Sequence, residues 1–571
     1  MKITTVPVSI LLIAGLSSVP LLASSAAATQ PGQAGQITPR PFPSSFAGDL
    51  PYDVNTAQVG KLLAAGGAGP QTAGVLAAQR EFDILAWQAF LALNWPVKAD
   101  ANPPKGTPIT SPIGQPRWSF WRPSPSIFLP DGAQPAPWNA AVAGQALNQG
   151  TFTLKKTKAA WRQHAAAEDN FEAFSGPLVD QNGKWVRYEA LVNHEEFDYI
   201  RSNELYSIDG QIRFSQAGKL VGFPVNAGNL RHGAIEIKLA WKEMGPNDDP
   251  RRFYTARVKV KVSEAGHENG DAQYRTITAG LVGMHISMRT QSSPQWIWST
   301  FEQIDNVRQN PIDPAHPQGA LSHANFMNPA LKDAPVNLLP PMNAPQSAGK
   351  GNYTTWYESL TTTPVQVARI ALPTQPGLND LDAQMAAAAA ALNTQVQALL
   401  RKQGSVFQYY ELIGTQWPLN PKAMAFPGGD DSAPESIKHK VPGNMVPTFL
   451  VNTTMETYFQ KDSQAAGPLE QDDRLPAGSV LDPTIVRGTE SCSGCHFSAG
   501  IALGYKKAAD GSRLLVDGKP IPIFGQNSHF GHVGDADFSW MLQLEAQAPN
   551  DTPANKIPPG NKLPIKVNVQ P

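Results

Sequence analysis

Residues 491–497 read SCSGCHF and hold the only two cysteines of the chain. Two thiols three positions apart, followed at once by an imidazole, suit three chemistries. On one helical turn Cys492 and Cys495 can add to the two vinyl groups of a single porphyrin as thioethers, with His496 ligating the iron as proximal axial ligand; C-x-x-C-H is the haem-attachment pattern. As a dithiol the pair could exchange electrons, which calls for a preceding strand and a long following helix in a βαβ unit. The preceding RLPAGSVLDPTIVRGTESC reads instead as loop. With His529 and His532 the cysteines could bind zinc, but the intervening stretch is too long for a finger and H-x-x-H is tighter than the usual spacing. One covalent haem c is the expected cofactor.

Small haem domains of this kind often place a methionine opposite the proximal histidine. Here the one methionine after His496 is Met541, inside an apolar helical pattern where core packing is its ordinary role. The preceding loop, PIPIFGQNSHFGHVGD, offers His529 as candidate distal axial ligand to the haem iron, with His532 beside it, Met445 or Met455 as upstream alternatives, and an open iron position as the remaining one. A second imidazole gives a lower potential than a methionine.

The start of the chain argues for delivery to a compartment where haem c is attached. Lys2 precedes an apolar run from Val6 to Ala23, and Ala26, Ala27 and Ala28 fit a small-residue cleavage site. Residues 1–28 are therefore expected to be a secretory signal peptide, with a periplasmic or secreted product that has no membrane span after cleavage. Having two cysteines that lie three apart in a chain of 571 residues excludes a disulfide framework. A formal net charge of −1 gives no electrostatic case for a nucleic-acid partner.

Several elements must position the motif. Residues 29–53, rich in Pro, Gly and Ser, read as an irregular leader. LAAQREFDILAWQAFLALNWP (76–96) reads as a helix ended by Pro96, and LNDLDAQMAAAAAALNTQVQALLRKQG (378–404) as another ended by Gly404. Between about 185 and 305, KWVRYEALV, GQIRFS, GAIEIKLAWKEM, RRFYTARVKVKV, YRTITAGLVGMHISMRT and PQWIWSTFEQI read as strands of a mostly antiparallel sheet or sandwich. In the last unit, helices are expected over 447–461, at the motif, and over 534–547 with Asp535 or Asp537 as N-cap. The expected class is α+β: a large mixed N-terminal region over 54–440, and a small, mainly α-helical, cytochrome c-like haem domain over 441–571.

The motif and its surroundings resemble those of c-type cytochromes. NTTMETYFQ and ADFSWMLQ resemble segments flanking the haem motif in large secreted bacterial proteins of the cytochrome c family, and WQAFLALNWP and PQWIWSTFEQIDNV resemble that group as well. The resemblance implies a single covalent haem and redox activity. The leading expectation is an exported monohaem cytochrome that passes electrons to a redox partner protein. The alternatives are an oxidoreductase whose N-terminal region binds a small-molecule substrate, and a haem-based sensor. His285, Trp296, Trp298, Glu302, Glu236 and Lys238 could serve the enzymatic alternative. Their bland reading is a strand packing both indoles on one face, with Glu236 and Lys238 on its solvated side. HEEFDY (194–199) lacks the HExxH face of a zinc site, and no Walker loop, G-x-G-x-x-G or G-x-S-x-G is present.

Overall fold

The computed structural model describes residues 45–65, 73–140, 151–154, 177–246, 248–262, 273–308, 324–331, 334–338, 340, 363–369, 380–419, 421, 445–447, 449–458, 491–496, 499–516, 518–525 and 533–549. The expected signal peptide, most of the leader, His529 and His532 lie outside these residues. The chain is α+β, with both helices and one large sheet. No described helix is long and apolar enough to cross a membrane.

After helices α1 (Thr56–Ala65) and α2 (Ala73–Leu93), β1 (Pro96–Val97) and β2 (Gln115–Pro116) form a small pair. The large sheet comprises β3 (Arg122–Pro123), β4 (Thr151–Leu154), β5 (Arg187–Val192), β6 (Ile235–Glu243), β7 (Thr255–Val262), β8 (Gln273–Met288), β9 (Ile297–Gln303), β10 (Tyr410–Pro418) and β11 (Met445–Val446). Its order is β11-β10-β9-β8-β6-β5-β3, with β7 on the far half of the long β8 and β4 parallel to β7. Every other pairing is antiparallel. It is one sheet rather than a sandwich: the remaining sheets among the described residues are two-stranded pairs.

The period-two pattern of the strands sets two faces. Ile235, Ile237 and Leu239 of β6, Met284, Ile286 and Met288 of β8, Ile297 and Phe301 of β9 and Leu412 of β10 point to one side. There α2 and α5 (Asp380–Lys402) cover them. α2 is apolar nearly all round and correspondingly buried. Phe90 stacks on Phe301 at 4.3 Å and Phe82 on Trp417 at 4.3 Å. Trp87 Nε1 donates to Asn393 Oδ1 of α5 at 3.0 Å, and Asn393 Nδ2 donates to Leu412 O at 2.8 Å.

The opposite face is polar. Across β6, β8, β9 and β10 the register aligns Glu236, Ser287, Trp298 and Gln416 in one row. Lys238, His285 and Thr300 form the next, and Gly283 with Glu302 the row after that. The C-terminal segment covers these rows, so Glu236 and Lys238 are not a solvated side; both are only partly exposed.

Other sequence expectations fail as well. GQIRFS is not a strand but part of helix α4 (Ile208–Gln216), which follows α3 (His194–Ser202). Ser207 accepts from Gly210 N at 3.1 Å and starts α4 as an N-cap, a local bond that outweighs the alternating pattern. The described part of 441–571 is not mainly helical. It holds α6 (Cys492–His496) and α7 (Trp540–Leu544), five residues each, with β11, β12 (Ala502–Tyr505), β13 (Leu515–Val516), β14 (Lys519–Pro520) and β15 (Pro522–Phe524). Residues 453–458 form turns, because Asn452 and Thr457 spend their side chains on local backbone: Thr454 N donates to Asn452 Oδ1 at 2.9 Å and Thr457 Oγ1 to Thr453 O at 2.6 Å. Nor does the C-terminal segment keep a core of its own. Ile501, Phe538, Met541 and Leu542 share a cluster with Phe197, Ile200, Ile208 and Ile212 of α3 and α4.

A buried carboxyl makes this core pH-sensitive. Asp83 of α2 is enclosed, and burial pushes its carboxyl from an ordinary 3.8 to about 7. Because the folded value lies above the unfolded one, its contribution is complete below about pH 4 and is lost as pH rises through 7. Asp83→Asn, which keeps an acceptor for Gln79 Nε2 (2.8 Å in the native pair), should raise urea-unfolding stability at pH 8 by roughly 4 kcal/mol and leave it nearly unchanged at pH 4. An equal effect at both pH values would contradict this account.

Candidate functional site

Ser491 opens the motif as an N-cap. Its hydroxyl accepts from Gly494 N and its carbonyl from Cys495 N, both at 3.0 Å, which closes one turn of helix, α6. That turn presents two thiols, not joined in a disulfide, and an imidazole from one short element. Ser493 N, an orphan donor of the first turn, bonds Gln416 Oε1 on the sheet at 2.8 Å, and Gln416 Nε2 bonds Pro447 O at 2.6 Å. The motif is thus pinned to the polar face of β10.

His496 sits between two supports. Its Nδ1 lies 2.8 Å from the carbonyl of Phe538. A carbonyl only accepts, so Nδ1 carries the proton and the ring lone pair belongs to Nε2, the form in which imidazole ligates iron. The ring also rests 4.6 Å from that of Trp298, tilted by 49°. Trp296 and Trp298 pack in one cluster, as the W-x-W spacing implies, with ring centres 6.0 Å apart. Trp540 Nε1 donates to Cys495 O at 3.2 Å, tying α7 to the motif.

The Phe538 carbonyl is aimed by an unusual turn. Asp537 and Phe538 take φ of 51° and 72°, a left-handed pair without glycine. A buried ion pair between Asp537 and Arg289, just past β8, holds it, and Asp537 Oδ2 also accepts from Phe223 N at 2.8 Å. The Asp537 carboxylate is therefore spent on Arg289 and Phe223 rather than on capping, and α7 starts only after Ser539, which holds the N-cap position without a side-chain cap bond. Around this pair stand Glu196 and Glu236, whose carboxyls burial pushes up, that of Glu236 to about 7; Ser539 Oγ donates to Glu236 Oε2 at 3.1 Å.

The second part of the segment, residues 452–458, lies over the other rows. Asn452 Nδ2 donates to Thr300 Oγ1 at 2.9 Å, and Thr453 donates to Glu302 through its N at 2.7 Å and its hydroxyl at 2.5 Å. The Thr454 hydroxyl lies over Gly283, where a built Cβ would meet it at 2.4 Å; only glycine admits this approach. Lys238 and His285 form the floor between the two parts of the segment. His285 Nε2 is buried without a hydrogen bond, 3.6 Å from Glu456 Oε2. Burial, with Lys238 and His496 near, holds His285 well below its ordinary 6.5, and burial raises Glu456 to about 7.

Burial, then Glu456 and Cys495, pushes the Cys492 thiol well above its usual range. A dithiol exchanger needs the opposite, a lowered thiol pKa, and a long helix after the motif; α6 ends at His496 and a strand pair follows. Among the described residues no group of three or more His, Cys, Asp or Glu is arranged to hold a metal ion. A tethered haem fits the donor set better, since it needs two thiols on one turn and one imidazole with its lone pair on Nε2.

The structure brings Cys492, Cys495, His496, Trp298, His285, Lys238, Glu236 and Glu302 to one sheet face. The methionine alternatives are packed apolarly: Met541 and Met445 with the Trp298 cluster, Met455 with Tyr188 and Tyr458. Sequence reasoning missed Arg289, Asp537 and Glu456. Arg289 ends the strand run GMHISMR and Glu456 lies inside the quoted NTTMETYF, but no spacing rule links either to residue 496.

Replacing Arg289 by Met would leave Asp537 buried beside two more carboxyls. Arg289→Met should cost roughly 3–5 kcal/mol of urea-unfolding stability at pH 8. The loss should shrink at pH 5, where Glu236, with its folded value near 7, is protonated. A loss below about 1 kcal/mol at pH 8 would mean that the pair does not hold the turn.

No known family model, curated protein or solved structure matches this chain.

Proposed function

We propose that the protein is an exported, monohaem c-type cytochrome that carries electrons, with Cys492 and Cys495 as the thioether tethers and His496 as proximal ligand. The observation that carries this reading is the 2.8 Å bond from His496 Nδ1 to the Phe538 carbonyl, inside a C-x-x-C-H turn built by its own N-cap. Ligating histidines commonly use the second ring nitrogen in this way, which fixes the tautomer and orients the ring. A bound haem would supply a one-electron couple between ferric and ferrous iron. The chain's own residues do the rest. Phe538 O orients the imidazole, Trp298 packs against its ring, and α6 and α7 with residues 449–458 screen the sheet face from water. The electron would pass to or from a redox partner protein outside the cytoplasm.

A second reading, an oxidoreductase acting on a small molecule, is favoured by one specific feature. Lys238, His285 and Glu456 gather titratable groups at the floor of the same site, more than electron carriage requires.

The test is the absorption spectrum of the exported protein, oxidised and dithionite-reduced, with haem staining on a denaturing gel. A sharp reduced α-band and haem that stays with the denatured chain are expected. Both should be lost in the Cys492→Ala/Cys495→Ala variant. Wild-type protein without covalent haem would overturn the proposal, and metal analysis would follow.

A further inference from the structure

His285 comes from the middle of the sheet, remote in sequence from the motif, yet it shares the face on which His496 rests. The register places His285 beside Thr300 on β9, two residues along from Trp298, whose ring touches that of His496. Residues so related, diagonal neighbours on one sheet face, are about 7–8 Å apart at their Cα atoms. Its neighbour across β6 is Lys238. Above this row the segment divides, with α6 and α7 over the Trp298 row and residues 452–456 over the Thr300 and Glu302 rows. His285 is therefore on the floor between the two coverings. Its ring is 16 % exposed, and Nε2 is buried without a hydrogen bond. It is the one imidazole among several buried polar side-chain atoms without a hydrogen bond in the described residues, and it lies on the sheet face where His496 rests, which suits it to take a ligand. The methionines that could compete lie in apolar packing, as described above.

We infer that His285, delivered by β8, is the second axial ligand of the iron whose first is His496. This inference rests on the proposed covalent haem and adds a ligand from the N-terminal region. The haem would join the two halves of the chain, through thioethers on one side and a sheet histidine on the other.

The experiment compares the full-length exported holoprotein with His285→Ala, His285→Met and His529→Ala by ferric absorption and electron paramagnetic resonance spectra and by redox titration. Haem staining serves as an independent check of attachment. Wild type should be low-spin. His285→Ala should retain its covalent haem but turn high-spin and bind carbon monoxide when reduced. His285→Met should return to low-spin with a raised potential and a methionine-to-iron charge-transfer band. His529→Ala should match wild type. The inference is overturned if wild type is high-spin, if His285→Ala stays low-spin at unchanged potential, or if His529→Ala is the variant that turns high-spin. Should His285→Ala not fold, the potential and charge-transfer band of His285→Met decide alone, and a wild-type spectrum in that variant counts against the inference. Absence of stained haem in wild type would instead overturn the cofactor reading beneath it, and this inference with it.

Discussion

A sheet with one apolar and one polar face normally leaves the polar face to water. Here that face is covered, and covering it imposes a requirement on every group it carries, because a polar group taken from water without a partner costs roughly 1–3 kcal/mol. The C-terminal segment meets the requirement largely pair by pair: Gln416 with Ser493, Glu236 with Ser539, Glu302 with Thr453, Thr300 with Asn452. These pairings, with the apolar cluster that Ile501, Phe538, Met541 and Leu542 share with α3 and α4, decide where the segment lies and so where Cys492, Cys495 and His496 come to rest. The larger apolar cluster lies on the far side, where α2 and α5 close over the sheet.

Within that frame the imidazole of His496 is set by a relay that begins in the sheet. Arg289 leaves β8 and holds Asp537; Asp537 and Phe538 turn left-handed, which costs of order 1–2 kcal/mol for each residue lacking a glycine's freedom. The ion pair and the bond from Phe223 N offset that cost, and the outcome is a carbonyl pointed at one ring nitrogen. Strain of this kind, maintained by surrounding structure, is characteristic of sites that must hold one geometry.

Much of this architecture was legible in the sequence. The alanine-rich run and the Phe82–Leu93 pattern gave α5 and α2 nearly to their ends, and the Val/Ile/Tyr-rich runs gave β5 to β9, because period and propensity agreed there. The motif residues were legible because their spacing is itself the chemistry. What stayed hidden has a common cause. Glu236 and Lys238 read as solvated because alternation shows which residues share a face but not what covers it. Residues 447–461 and 534–547 read as helices because apolar spacing was counted without the competing bonds of Asn452, Thr457 and Asp537. The Phe538 carbonyl left no trace at all, since every residue has one.

The division of the site between distant stretches also bears on how the chain reaches its final form. Ser493 reaches back 77 residues to Gln416, Asn452 reaches 152 to Thr300, and Ser539 reaches 303 to Glu236. Contacts with such sequence separation incur a large loop-closure entropy before they stabilise anything, so folds rich in them acquire their structure slowly. All of the sheet except its edge strand β11, and both covering helices, precede residue 445, and they supply the floor on which the motif rests. A fragment beginning near residue 440 would therefore keep the cysteines and histidine while losing the surface that orients them.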